Sequence, residues 1–247
     1  MRLIDNFYAY LWPGTTMAEM QMYGNNCNSY LIANVLGDGK HVIVDPGQLV
    51  NEVRQNCLDW LLLEMKKDRI RIEDIGLIII THAHSDHYGA AEEIKKRSGA
   101  SIAIGEDEYE FFQTGRKQMG HVFKAMGFEI PEISPDLFLK EGELHLDREV
   151  AAEILFTPGH SPGHIGIYLP ATKMYIGGDL IFYGSTGRVD FPGGSAALLK
   201  NSIEEVAQLE IEYLLTGHQY GSTGIIHGEA AIKSNFEFVR RNVFPYL

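Results

Sequence analysis

The chain has 247 residues, 45% of them hydrophobic, enough to bury one large core or two small ones, and nothing in its composition suggests disorder. Its 33 acidic against 21 basic side chains give a net charge of -12, a field that repels nucleic acid and anionic membranes and so weighs against a nuclease or a membrane-surface protein. Two cysteines outside any CxxC spacing exclude a disulfide framework. Without a basic-then-apolar leader or an apolar run near the roughly 20 residues of a membrane span, the expectation is a soluble, cytoplasmic protein with no membrane partner.

Apolar runs ending in glycine, aspartate or histidine alternate with amphipathic stretches, the pattern of layered α and β structure. "SYLIAN" and "HVIVDPG" read as the first two strands, joined by a hairpin signal at Gly37 to Gly39. Val53, Cys57, Leu61 and Met65 recur every four residues and predict a helix with one buried face. "IGLIII" predicts a central strand buried on both sides. A helix follows from Tyr88 to Ser98, with Glu92 and Lys96 paired at i,i+4 and Gly99 as its stop.

"ASIAIG" is the next predicted strand. Residues 106–136 carry Tyr109, Phe111, Phe112, Met119, Phe123, Met126 and Phe128 among charges and break at Pro131 and Pro135, which reads as a helical insertion. It would either wall a substrate pocket or cover the core as a helical pair. The second half repeats the rhythm through "ELHLD", "AAEILFTPGH", "HIGIYLP" and "KMYIGGD", a helix near 195–208, "IEYLLTGH", and a final helix from about Gly228. With no linker or repeat interrupting it, residues 1–247 read as one domain. Two β-rich halves edged by helices favour a sandwich of two sheets, an α/β (α+β) fold, over one open sheet.

Histidines and aspartates concentrate where apolar strands end. His82, His84 and His87 follow "LIIIT", His160 follows "EILFTPG", Asp179 follows "MYIGG", and His218 follows "YLLTG". If the chain stays extended through His84, His82 and His84 point to one side, because strand side chains alternate. A turn into helix then redirects Asp86 and His87. The spacing suits one ion on His82, His84 and His160 and a second on Asp86, His87 and His218, with Asp179 bridging. Imidazole and carboxylate donors fit Zn first, with Fe or Mn as alternatives. Two ions roughly 3.5 to 4 Å apart would share a hydroxide formed near neutral pH, since coordination lowers the pKa of water to about 7. Asp86 is placed as a ligand and as a proton acceptor for that water. His164 reads either as a support for the ligands or, by preference, as a structural hydrogen bond in the "SPGH" turn, while His41, His121, His145 and His227 stand in no motif.

In this order, "THAHSDH", "TPGHSPGH", "GGDLIF" and "TGH" resemble the ligand motifs of the metallo-β-lactamase superfamily, and "VIVDPG" resembles the motif that precedes them. The resemblance runs from about residue 26 to 222 and implies an αββα sandwich of two mixed β-sheets flanked by helices, with two divalent ions at one edge. It implies the same assignment of the seven ligands that spacing suggests. It makes Asp45 a supporting hydrogen-bond partner of the ligands, a role to set against simple capping of the turn at Pro46 and Gly47.

An aspartate at position 179 resembles the glyoxalase II, lactonase, persulfide dioxygenase and RNA-processing branches, whereas β-lactamases proper resemble this pattern with cysteine or serine there. "GDLIFYGSTGRVDFPGG" is similar to the glyoxalase II-like hydrolases, and Arg188 and Asp190 match an arginine and aspartate that follow the bridging ligand. A buried ion pair fixing the loop beside Asp179 is preferred to substrate contact by Arg188. Only 29 residues follow His218, so the glutathione-binding helical domain of glyoxalase II is not implied. The leading expectation is a metallo-hydrolase of a small thioester, ester or lactone. The alternatives are a mononuclear iron persulfide dioxygenase using His82, His160 and Asp179, an RNA phosphodiesterase disfavoured by the acidic charge, and a binding module disfavoured by the open, cysteine-free ligand set.

Overall fold

The computed structural model describes every residue except 15, 126–129, 148–149 and 220–223, and no side chains at 17, 117–125 and 147. The first sheet holds β1 (Arg2–Ile4), β2 (Phe7–Tyr10), β3 (Ser29–Ile32), β4 (His41–Val44), β5 (Ile75–Ile79), β6 (Ser101–Gly105) and β7 (Leu137–Leu139), side by side in that order. β1 to β4 are antiparallel and β4 to β7 parallel. Each parallel step needs a crossover, and helices supply them: α2 (Cys57–Lys67), then α3 (Ser85–Tyr88) with α4 (Ala91–Ser98), then α5 (Glu106–Ala125). The short α1 (Met17–Tyr23) lies between β2 and β3.

The second sheet runs in the order β15 (Ile225–His227), β14 (Tyr213–Leu215), β11 (Met174–Ile176), β10 (Ile165–Leu169), β9 (Val150–Phe156) and β8 (Gly142–Asp147). Its one parallel pair, β11 with β14, is bridged by α6 (Ala196–Val206), and β12 (Ile181–Phe182) and β13 (Ser185–Thr186) form a small ribbon on the way. α7 (Glu229–Asn242) follows β15.

Side-chain alternation turns these lists into layers. On β5 and its extension, Leu77 and Ile79 face Ile154, Ile165, Ile167 and Ile176 of the second sheet, whereas Ile78 and Ile80 face Leu58, Leu61 and Met65 of α2 and Ile94 of α4. The "LIII" run is apolar throughout because both of its faces are covered. Tyr175 and Leu214 turn the other way, onto Leu199 and Ile203 of α6 and Ile232 and Phe236 of α7. The result is helix, sheet, sheet, helix, the αββα sandwich. Among the described residues no helix is long and apolar enough to cross a membrane.

Several local expectations are corrected. Two short strands precede "SYLIAN", and the loop between β3 and β4 spans residues 33–40, longer than a tight hairpin. α2 begins at Cys57 behind an Asn56 cap, leaving Val53 outside the helix and exposed. The helix expected from Tyr88 to Ser98 is broken, because the Ala90 amide leaves the helical pattern to donate to Gly47 O at 2.7 Å. Glu92 accepts from the Ser134 amide rather than pairing with Lys96, while Arg97 pairs with Glu93. In residues 106–136 one helix, not a pair, is formed among the described residues; 130–136 return in irregular coil, and Met126 and Phe128 lie outside them.

Candidate metal centre

The C-terminal ends of β5, β9, β11 and β14 meet at one edge of the sandwich. After β5 the chain bends at Thr81 and His82 rather than continuing as a strand, and is extended again at His84, which then caps α3, so Asp86 and His87 sit on the first helical turn. His82 and His84 still reach one point: His82 Nε2 and His160 Nε2 lie 3.0 and 2.9 Å from His84 Nδ1. On the other side His87 Nε2 is 3.3 Å from His218 Nε2, which is 3.3 Å from Asp86 Oδ2. Asp179 stands between the groups, 3.3 Å from His87, 3.5 Å from His160 and 3.4 Å from His218. All seven predicted ligands come together, and their donor atoms form three overlapping clusters: His82, His84 and His160; His82, His87 and Asp179; Asp86, His87 and His218.

Two glycines make room for Asp179. Gly178 turns with φ of 47°, and a Cβ on Gly217 would lie 2.1 Å from Asp179 Oδ1. That Oδ1 is buried and accepts no hydrogen bond. Three imidazole nitrogens converging within 3.0 Å, beside a buried carboxylate oxygen whose neighbour is His87 Nε2 at 3.3 Å, are costly unless a cation joins them. The donor set, nitrogen and carboxylate oxygen without thiolate, fits divalent ions.

Outer contacts aim the lone pairs inward. His87 Nδ1 donates to Asp45 Oδ2 at 2.8 Å, and His160 Nδ1 donates to Arg188 O at 2.7 Å. His82 Nδ1 is 3.0 Å from Thr81 Oγ1, whose hydroxyl donates to Asp45 Oδ2 at 2.6 Å. Each ring thus keeps its proton on the outer nitrogen and presents the inner one as a ligand. Asp45, with φ of 51°, also accepts from the Thr81 amide at 2.8 Å, so it ties β4 to the ligand loop, whereas the turn amides go elsewhere, Gly47 N–H to His87 O and Gln48 N–H to Asn26 Oδ1. His164 faces the ligands too: its Nε2 accepts from the Asp179 amide at 3.2 Å while Nδ1 meets Thr157 Oγ1. Among the histidines without a motif, His41 is buried with Nδ1 accepting from the Asn34 amide, His145 and His227 pair with surface glutamates, and the side chain of His121 lies outside the described residues.

Arg188 needs a correction. It does form a bidentate pair with Asp190 at 2.6 Å, but the pair is exposed, and the guanidinium lies over the Phe191 ring at 4.0 Å. The part of Arg188 that reaches the ligands is its carbonyl.

Burial and the neighbouring rings hold His82 well below the ordinary imidazole pKa, lower His84 to about 4 and lower His164 to about 3. Burial also opposes a charge on His87, but Asp179 and Asp45 overcome it and lift that ring to about 10. For protein stripped of metal the sign follows. Between pH 6.5 and 4 the unfolded chain takes up protons at His82, His84 and His164 that the folded chain refuses, while the raised His87 keeps its proton in the fold. Stability should therefore fall on acidification by up to about 1.4 kcal/mol per pH unit for each of these three groups. Urea titrations of chelator-treated protein at pH 6.5 and 4.5 check this; equal midpoints would refute it.

Sequence reasoning missed two supports. Asn25 Nδ2 donates to Asp86 Oδ2 at 2.7 Å. Glu108, 1% exposed in the first turn of α5, accepts from the Ala83 amide at 2.8 Å and the Gly163 amide at 2.9 Å. One carboxylate thus pins Ala83, between His82 and His84, and Gly163, directly before His164. Burial raises its pKa although both amides favour its charge. The available signal was an acid four residues before buried Phe112, on the helix's inward face. Gln cannot accept both amides. Glu108→Gln should weaken metal binding by about 10 to 100-fold, read by chelator competition, whereas exposed Glu110→Gln should not.

A family sequence model, that of the metallo-beta-lactamase superfamily, matches residues 22–218. A probable metallo-hydrolase of Methanocaldococcus jannaschii is 33% identical over 81% of this chain and 91% of its own length. The hydroxyacylglutathione hydrolase GloC of Haemophilus influenzae is 37% identical over 54% of this chain, and the match spans 64% of that relative. Among solved structures, a protein in a di-iron-bound form superposes with a TM-score of 0.62 at 28% identity, covering 87% of this chain and 95% of the other.

Proposed function

From the premise that the chain belongs to the metallo-β-lactamase superfamily, we propose that it is a dinuclear metallo-hydrolase of a small thioester, ester or lactone. The observation that carries this reading is the overlap of the ligand clusters, with Asp179 within 3.5 Å of donors on both sides. Divalent ions bound there would polarise a carbonyl oxygen and supply a nucleophile from water near neutral pH. His82, His84 and His160 would hold one, Asp86, His87 and His218 the other, and Asp179 both.

The remaining work falls to the protein. Asp45, Thr81, Glu108 and the Arg188 carbonyl keep the ligand rings in position, and Asp86, steadied by Asn25, is the carboxylate placed to accept a proton. A small cavity of about 170 Å³ lies beside His218. The thioester class draws support from GloC's named substrate, and zinc is the first metal expected, with iron supported by the di-iron neighbour. Metal analysis of protein purified without added metal, with a panel of thioesters, esters, lactones and a phosphodiester, tests it. Two divalent ions per chain and carboxyl-ester or thioester cleavage are expected; one iron per chain with oxygen uptake on a persulfide would overturn it.

A further inference from the structure

The loop from Gly187 to Ser195 runs past His160 and His84 and is anchored at both ends. At Gly187 a Cβ would lie 1.9 Å from Asp179 O and 3.1 Å from His160 Cγ, so only glycine lets the chain pass. Toward the far end the Ser195 amide donates to Gly159 O at 2.7 Å, and a Cβ on Gly193, whose φ is 85°, would lie 2.7 Å from both Phe111 and Pro162. Between these anchors the loop gives two groups to the ligands. The Arg188 carbonyl accepts from His160, and the Phe191 ring meets His84 in a T-shaped contact with centroids 5.5 Å apart.

His84 lacks what the neighbouring ligand rings have. The outer nitrogens of His82, His87 and His160 are fixed by Thr81, Asp45 and the Arg188 carbonyl. The close contacts of His84 fall on Nδ1, the atom turned to His82 and His160, and no described residue bonds its Nε2. Glu108 holds the Ala83 amide just before it, but a backbone contact does not set the rotation of the ring. Packing has to do so, and among the described residues Phe191 is the one aromatic ring outside the ligand set that touches His84. Phe191 is exposed yet braced: the Arg188 guanidinium lies over its face at 4.0 Å and is itself gripped by both oxygens of Asp190 at 2.6 Å.

We infer that Phe191 is a positioning residue for His84, and that Asp190, Arg188 and Phe191 form a stacked brace keeping Nδ1 of that ring turned to the ion it would hold with His82 and His160. The inference rests on the metal site of the hydrolase reading and is independent of the substrate. A ring contact of this kind corresponds to about tenfold in affinity, and a cation over an exposed ring to about threefold.

The test titrates chelator-treated protein with Co(II) against a chromophoric chelator, and His84→Ala marks the binding step that uses this ring. Phe191→Ala should weaken that step about tenfold, and Arg188→Gln, which keeps the carbonyl, about threefold. Phe191→Tyr should match the wild type, while any other binding step and the unfolding temperature stay unmoved in all three. If the wild type takes up no Co(II), the metal reading fails separately, and nitrogen NMR of the histidine rings in metal-free protein reads the brace: one sharp His84 signal in the wild type, broadened or split in Phe191→Ala. Equal affinity of Phe191→Ala and wild type at the marked step, an equal loss at every step, or, without metal, an unchanged His84 signal would overturn the inference.

Discussion

Asp179→Ala is expected to leave a folded protein that has lost an ion and nearly all of its hydrolytic activity. The reason is position: Asp179 alone approaches His87, His160 and His218 together, at 3.3 to 3.5 Å. Its removal also ends the one negative contact shared by both ligand groups, leaving neutral rings that share a cation less firmly. Removing a group that only supports a ligand costs about 10 to 100-fold, so loss of this one should exceed a hundredfold. The fold should survive, because the surrounding core of Leu180, Ile181 and Leu215 is untouched and the rings that lose their contact with Asp179 keep their outer hydrogen bonds at His87 and His160. Metal content and kcat/KM read on the same preparation decide it; two ions retained with activity within tenfold would refute the bridging role.

The second large effect concerns Asp45, where two substitutions should behave differently. Asp45→Ala strands the Thr81 amide, the Thr81 hydroxyl and His87 Nδ1, all of them buried. Breaking such a buried charged pair costs about 3 to 5 kcal/mol, which in a domain of this size lowers Tm by about 10 °C. Asp45→Asn tolerates the left-handed backbone at φ 51° and can still accept from the Thr81 amide. Its amide nitrogen then faces His87 Nδ1, which must become an acceptor, so the ring proton moves to Nε2 and covers the lone pair aimed at Asp179 and His218. Stability should largely persist while metal affinity falls about 10 to 100-fold. Thermal unfolding and chelator competition separate the two outcomes; a full metal affinity in Asp45→Asn would refute the assignment of the ring proton.

The seven clustered residues were readable in the sequence because each follows an apolar strand closely, and strand ends share an edge of the sheet. Local spacing conveyed a helix after His84, but the chain reaches it through a bend at Thr81 and His82 and not as a continuing strand. The supports were less readable. Glu108 and Asn25 reach the ligands from other elements, and their neighbours in the chain say only that one acid sits on an apolar helix face and one amide in a loop. Arg188 misled for a related reason: residue type advertises the guanidinium, whereas the contact is made by a carbonyl that every residue carries. The layer order followed from alternation and crossovers, but β1 and β2 did not, since three and four residues carry too little periodicity to separate an edge strand from a loop.

The division of the donors between the two sheets sets an order of events at the ribosome. His82, His84, Asp86 and His87 follow β5, and His160, Asp179 and His218 follow strands of the second sheet. The first four are synthesised before the strands that carry the other three, so the donor set is complete only once the second sheet has formed. Ions held by all seven donors would bind fully only to the closed sandwich, so their binding would add directly to the stability of the contact between the two sheets.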